Sequence, residues 1–481
     1  MKHAITAIFV ISAVWQGGFS DMAWCAAGLV FAVCVFFAAK QLPPKRVFFP
    51  FAALVLLYAV SFVLHGAHFE SAVQAAKPAV ALLALIALYN AKSTDVHAMV
   101  LLAGLIAAIL GIATFLGIVE FPGARFNGRL QGTFQYANAA GIFFAVCAFL
   151  TRTGVRSRKR HIALLFEAAL LLTQSVGAIA TYVLGLMLHF FAEKRWKRLA
   201  LSFGISAAGC AALLYVRGAG TVAASYLDRI LQMSDGAMVV LHNPLGIGPG
   251  LWAVRLLELQ SAFYTATKMH SYPMEMGVDA GFAAIALFVL LVAVWVGRVR
   301  KTGLLPRHTA AGMLLFHGLQ DVTFNFLTIV LLLLMLVIPD FPDGADIPKI
   351  PRRAASAALL ACFLLLVHRL GVQNLQMWEQ SGPSAEQRVA RYEAGGLKTA
   401  EGEYLRAKHL LSLGRPGEAA EAALRCIRLS RYMPDGYELL ETILPELPEG
   451  ERARCRDEAD AIRAKAEEEE HPLFEYIEKW V

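Results

Sequence analysis

The 481-residue chain is 57% hydrophobic and only 17% charged, with a formal net charge of +7 at pH 7. A soluble domain of this length could bury a large core, but it would not need repeated apolar runs joined by short basic links, and the mean hydropathy of +0.55 excludes that class. Seven cysteines show no CxxC and no Cys/His cluster, so no metal site is expected, nor any cofactor or nucleic-acid partner.

Crossing a bilayer takes about 20 mainly apolar residues, because only a closed hydrogen-bond ladder satisfies the backbone in lipid. Spans are predicted near 3–19, 22–39, 47–64, 73–90, 98–119, 134–151, 161–174, 176–192, 199–216, 275–297, 309–321, 324–340 and 354–371, about 13 helices in an all-α polytopic membrane protein. Lys2 and the apolar run after it mimic a signal peptide. No small-residue cleavage site stands out and the second span follows at once, so the segment is read as a helix.

Lysine and arginine set the orientation, since cytoplasmic links carry an excess of both. They gather at Lys40, Lys45 and Arg46, then from Arg152 to Arg160, from Lys194 to Arg198, from Arg298 to Arg307, and from Lys349 to Arg353. With the N-terminus inside, every one of these links is cytoplasmic. Residues 120–133, 217–273 and everything after about Val372 then lie outside, dividing the chain into a membrane domain (1–371, with its large outside loop at 217–273) and an outside tail (372–481).

The first outside loop carries Arg125 and Arg129 among Gly123, Gly128 and Gly132, with Asn138 in the first turn of the next span. Asparagine there is an ordinary cap, and interfacial arginines often snorkel. These arginines nevertheless break the positive-inside pattern, and a planar guanidinium suits phosphate oxygens.

The long outside loop holds Arg229, then HNPLGIGPGLW from His242, then MHSYPMEMGVDAG from Met269. The Gly/Pro run marks tight turns whose backbone N–H groups at Gly248 and Gly250 could hold an anion. His270 sits at the mouth of a helix carrying Glu275, where it could act as a general base or a phosphate contact. Further on, His317 and Asp321 stand at i and i+4. On one helix face they would satisfy each other.

After Val372 the composition turns acidic, with 22 Asp and Glu against 15 Lys and Arg. Helical spacing of apolar and alanine residues, broken at Gly414–Pro416 and Pro434–Gly436, resembles one to one and a half tetratricopeptide repeats. Such a tail serves either as a stabilising cap or as a protein-binding surface. Cys426 and Cys455 both lie in it and could pair.

Three segments resemble the O-antigen ligase and O-antigen polymerase superfamily. The first is Arg129–Leu130–Gln131–Gly132–Thr133–Phe134 running on to Asn138 and Ala139. The second is Arg229 followed by Pro244–Leu245–Gly246–Ile247–Gly248–Pro249–Gly250. The third is His270 with Glu275, Gly277 and Gly281. Ser271 replaces the asparagine usual after the histidine, and Asp279 stands where the family often has Glu. The segment from His317 to Asp321 is similar to an element of the subgroup with C-terminal repeats.

The resemblance implies a GT-C-like fold and a metal-independent glycosyltransferase of the cytoplasmic membrane. It would transfer or polymerise a glycan from a polyprenyl-diphosphate-linked donor onto a glycan, lipid or protein acceptor on the outer side, in cell-surface polysaccharide biosynthesis. Arg129, Arg229 and His270 would be catalytic. Arg125, Asn138, Gly248, Gly250, Glu275, His317 and Asp321 would bind substrate. The alternative is a transporter or flippase for an anionic lipid-linked glycan, which would want ionisable groups near the bilayer midplane; Lys77 and Glu167 are the main ones in the spans.

Overall fold

The computed structural model describes residues 1–91, 95–154, 160–264, 266–346, 349–378, 384–394 and 399–469. The membrane part contains α1 (Lys2–Val14), α2 (Asp21–Ala38), α3 (Lys45–Leu64), α4 (Phe69–Asn90), α5 (Val96–Phe115), α6 (Ala137–Gly154), α7 (Arg160–Leu172), α8 (Val176–Ala192) and α9 (Trp196–Arg217). There follow α10 (Ala219–His242), α11 (Leu251–Leu259), α12 (Tyr272–Ala280), α13 (Phe282–Thr302), α14 (Pro306–Gly318), α15 (Leu327–Val337) and α16 (Lys349–Trp378). The tail folds as α17 (Ala385–Ala394), α18 (Ala400–Ser412), α19 (Pro416–Leu429), α20 (Pro434–Ile443) and α21 (Glu449–Glu469).

Among the described residues, six helices are long and apolar enough to cross a membrane, lying within α2, α3, α4, α5, α13 and α16. Five more apolar stretches, in α1, α6, α7, α8 and around α15, are shorter. The chain is thus a helical, membrane-embedded protein, built around α6. Residues Ala139–Leu150 of that helix are all buried, several of them alanines that let neighbours approach closely. Side-chain caps start several helices, with Ser20 before α2, Asp95 before α5 and Ser175 before α8.

One end of the bundle is basic in sequence. There β1 (Gln41–Leu42) pairs antiparallel with β4 (Ala345–Asp346), and the Asn90 side chain accepts from the backbone N–H of Lys40 and Gln41. Near that end Glu167 pairs with Arg152 and accepts from Tyr182, so it belongs to a local ion pair. The opposite end gathers the segments 16–20, 65–68, 116–136, 173–175 and 319–326, together with α10 to α12.

Three sequence expectations change here. The stretch 217–273 is largely helical rather than an open loop: α10 alone runs 24 residues. Its polar face, with Asp228 and Arg229, hides the apolar row Val222, Leu231, Val239 and Val240 that seats it. The span predicted at 275–297 is instead two helices broken at Gly281. The domain boundary predicted at 371/372 falls inside α16, which continues to Trp378.

The tail has its own core of small and aliphatic side chains, centred on Ala419, Ala420, Ala423, Leu424 and Ile427 of α19. α18 and α19 form a helix hairpin whose turn places Gly414 at φ +70°, where a side chain would be strained. Leu257 of α11 packs against Ala400, Cys426 and Met433, so the tail docks on the long inter-helix segment. Cys426 and Cys455 are buried and both unpaired, which answers the pairing considered above.

Candidate functional site

The site begins in the hairpin before α6. β2 (Arg125–Phe126) and β3 (Arg129–Leu130) pair across Asn127–Gly128, both at positive φ (48° and 70°). Gly128 meets that requirement without strain. The reversal sends the two arginines apart. Arg125 is exposed, its guanidinium 5.6 Å from the Phe115 ring centroid. Arg129 turns inward, donating from Nε to Thr173 O (3.0 Å) and from Nη2 to Asn138 Oδ1 (2.9 Å).

Asn138 does not cap its helix. It is buried, and both ends of its amide are in use. Oδ1 also accepts from Ser175 Oγ (2.9 Å), while Nδ2 donates to Tyr136 Oη (3.1 Å) and to Asp321 Oδ2 (2.7 Å). Asp321 is the hub: Tyr136 Oη donates to its Oδ1 (2.9 Å), as does the backbone N–H of Val322 (2.9 Å), and Arg229 Nη2 donates to Oδ2 at 3.3 Å. The Asp321 side chain is 2% exposed and that of Arg229 15%. Arg229 lines a small cavity together with Asn138, Ser175, Arg217, His317 and Asp321.

His317 and Asp321 do not satisfy one another as the i, i+4 spacing implied. α14 ends at Gly318, so Asp321 lies beyond the helix, and His317 Nδ1 bonds Thr323 Oγ1 at 2.7 Å. Both residues nevertheless line the same cavity.

His270 stands beside this network, next to Tyr136. Its Nδ1 lies 2.8 Å from Gln232 Oε1 and its Nε2 lies 3.5 Å from Tyr136 Oη. Gln232 Nε2 donates to Asp228 Oδ2 (3.3 Å), which turns the amide oxygen toward the ring. An amide oxygen only accepts, so Nδ1 carries the proton and Nε2 is the free base. Burial holds the imidazole pKa below its usual value, against the opposing pull of Asp321. Burial, followed by repulsion from Arg217, lowers the Arg129 guanidinium to about 10, still protonated at neutral pH. Arg229 pairs with Asp321, Arg217 lines the same cavity and Arg129 is tied to its wall through Asn138, so three cations stand near one carboxylate. Such an arrangement holds an anion and presents a neutral base beside it.

Gly248, Gly250 and Glu275 do not join this group. The PLGIGPG run is a clasp on α12: Ile247 N donates to Val278 O (2.8 Å), Phe282 N to Pro244 O (3.1 Å) and Gly250 N to Asp279 Oδ1 (2.8 Å). The expected anion at Gly250 is thus the chain's own carboxylate, and Gly248 faces His65 and Leu251. Glu275 accepts from Asn325 Nδ2 (2.7 Å) and from Gln74 Nε2 (3.3 Å), with Lys268 at 3.8 Å.

Sequence reasoning missed Arg217, Tyr136, Ser175 and Gln232. Arg217 reads as an ordinary helix-end arginine, although the orientation expected from the basic links would put it outside, a signal that was available. Neither the family models nor the curated proteins include a match to this chain.

Proposed function

We propose that the protein is a membrane glycosyltransferase using a polyprenyl-diphosphate-linked glycan as donor, of the O-antigen ligase and polymerase type. The observation that carries this reading is the pair Arg217 and Arg229 lining one cavity, with Arg129 behind it on Asn138 and the neutral base His270 beside Tyr136. In this reading α1 to α9 and α13 to α16 cross the cytoplasmic membrane, about 13 crossings. The basic links face the cytoplasm, and the site and tail lie outside.

Diphosphate is a good leaving group once its charge is neutralised, so fixed cations and positioning supply much of the catalysis. The acceptor hydroxyl oxygen attacks the anomeric carbon, its proton passing to His270 Nε2. The bond from that carbon to the phosphate oxygen breaks, and the diphosphate leaves with the electron pair, held by the arginines. Arg129 is fixed by Asn138 and Thr173, which leaves Arg217 and Arg229, each with one long bond, as the cations freer to meet the donor.

Arg229→Ala should abolish transfer in cells while the chain inserts and accumulates normally. Arg229→Lys should rescue poorly, since it loses the bidentate fork. Full glycan assembly by the alanine variant would sink the assignment.

A further inference from the structure

A second cavity lies on the other side of the strip 321–326. It sits between α3, α4, α13 and α15 and is lined almost wholly by apolar side chains. One face of α4 forms its long wall: Lys77, Ala81, Leu85 and Tyr89 follow at helical spacing, a run of about 18 Å at 1.5 Å per residue. The shape is a trench for a chain.

One end of the trench is polar. Lys77, Gln74 and Asn325 line it there. Lys77 is buried; its Nζ donates to Asn325 Oδ1 at 3.3 Å and lies 5.4 Å from the Trp24 ring centroid. Among the described residues no carboxylate comes within 4.0 Å of it. The nearby Glu275 is engaged by Asn325, Gln74 and Lys268, as described above. A buried ammonium without an ionic partner in a membrane-embedded helix is costly and marks a binding function. A phosphate would complete it.

We infer that this trench binds a second lipid, distinct from the donor in the arginine cavity. Its single long apolar chain lies along α4, and its phosphate head is held by Lys77. The inference rests on the glycosyltransferase reading only in what it says of the reaction: the acceptor is itself anchored to a phosphate-headed lipid. Asp321 and Asn325, at opposite ends of one strip, would then bring the two lipid heads to neighbouring sites.

The test uses the purified full-length protein in lipid nanodiscs, with a diazirine-tagged isoprenyl monophosphate and the matching isoprenyl alcohol as probes. Crosslinks mapped by mass spectrometry should fall on Leu54, Ala81 and Leu85. Lys77→Met keeps the trench apolar and filled, and should cut phosphate-probe labelling about tenfold, to the level of the alcohol. Ala81→Trp should block both probes. Excess inorganic phosphate should not displace the tagged lipid. Displacement by phosphate alone would reduce the site to a simple anion site and overturn the proposal. So would labelling confined to outward-facing Leu56 and Val60, or labelling indifferent to Lys77→Met. Arg229→Ala should leave trench labelling unchanged while transfer is lost. Failure of the trench and failure of the glycosyltransferase reading are therefore read separately.

Discussion

His270 Nδ1 and Gln232 Oε1 lie 2.8 Å apart, and this single bond decides which nitrogen of the imidazole is basic. With Nδ1 protonated, Nε2 faces Tyr136, which bonds Asp321 at the cavity wall. Gln232→Leu should therefore lower kcat about tenfold or more with little change in KM, because the ring loses its tautomer while the arginines stay in place. His270→Gln should cost about 10²–10⁴ in kcat. Steady-state rates on the lipid-linked donor check both. A Gln232→Leu enzyme with normal kcat would remove the positioning role.

The pH profile follows from the same residue. Burial lowers the His270 pKa below 6.5, so the proton is released earlier and the neutral base is the main form at neutral pH. Activity should hold as pH falls to 6.5 and decline only below it, as the ring takes up its proton. In His270→Gln the residual rate should lack that acidic limb. A wild-type limb centred above 6.5 would contradict the assignment.

Asp321 predicts a stability effect. It is buried and accepts from Tyr136, Asn138, Arg229 and the backbone of Val322. Removing one partner of a buried ion pair leaves the other charge uncompensated, and Asp321→Ala should cost about 3 kcal/mol. Thermal unfolding in detergent should show a clear drop in Tm. Asp321→Asn keeps the shape and should cost less.

The clasp on α12 gives a sharper steric prediction. Gly281 has φ +85°, and a Cβ there would lie 2.1 Å from Pro244 O. Gly281→Ala should spring the 243–250 segment from α12, seen as new protease cleavage between α10 and α12. Gly297→Ala meets open space and should leave the digest unchanged.

Much of this site was legible in the sequence, because ionisable side chains are rare in so apolar a chain. Arg129, Arg229, His270 and Asp321 announced themselves by being out of place. The misreadings share one cause: local spacing says nothing of long-range partners. His317 and Asp321 looked like a helical pair until α14 ended at Gly318. Gly248 and Gly250 looked like an anion nest, whereas the anion is Asp279 of the neighbouring helix. Tyr136, Ser175 and Gln232 are ordinary residues in sequence, and only the closure of α6, α8 and α10 around Asp321 makes them part of the site. α10 was hidden because charged residues interrupt its apolar row.

The central claim, that the arginine cavity holds the diphosphate of a lipid-linked donor, is tested most directly by binding. Affinity for a polyprenyl diphosphate should be measured on the purified protein and on three single variants, Arg129→Ala, Arg229→Ala and Arg125→Ala. Loss of a buried charge contact corresponds to about thirtyfold weaker binding or more, and that is expected for Arg129→Ala and Arg229→Ala. Arg125, exposed and turned away on the same hairpin, should bind as the wild type does. Undiminished affinity in Arg229→Ala, or a loss in Arg125→Ala as large as in Arg129→Ala, would contradict the account.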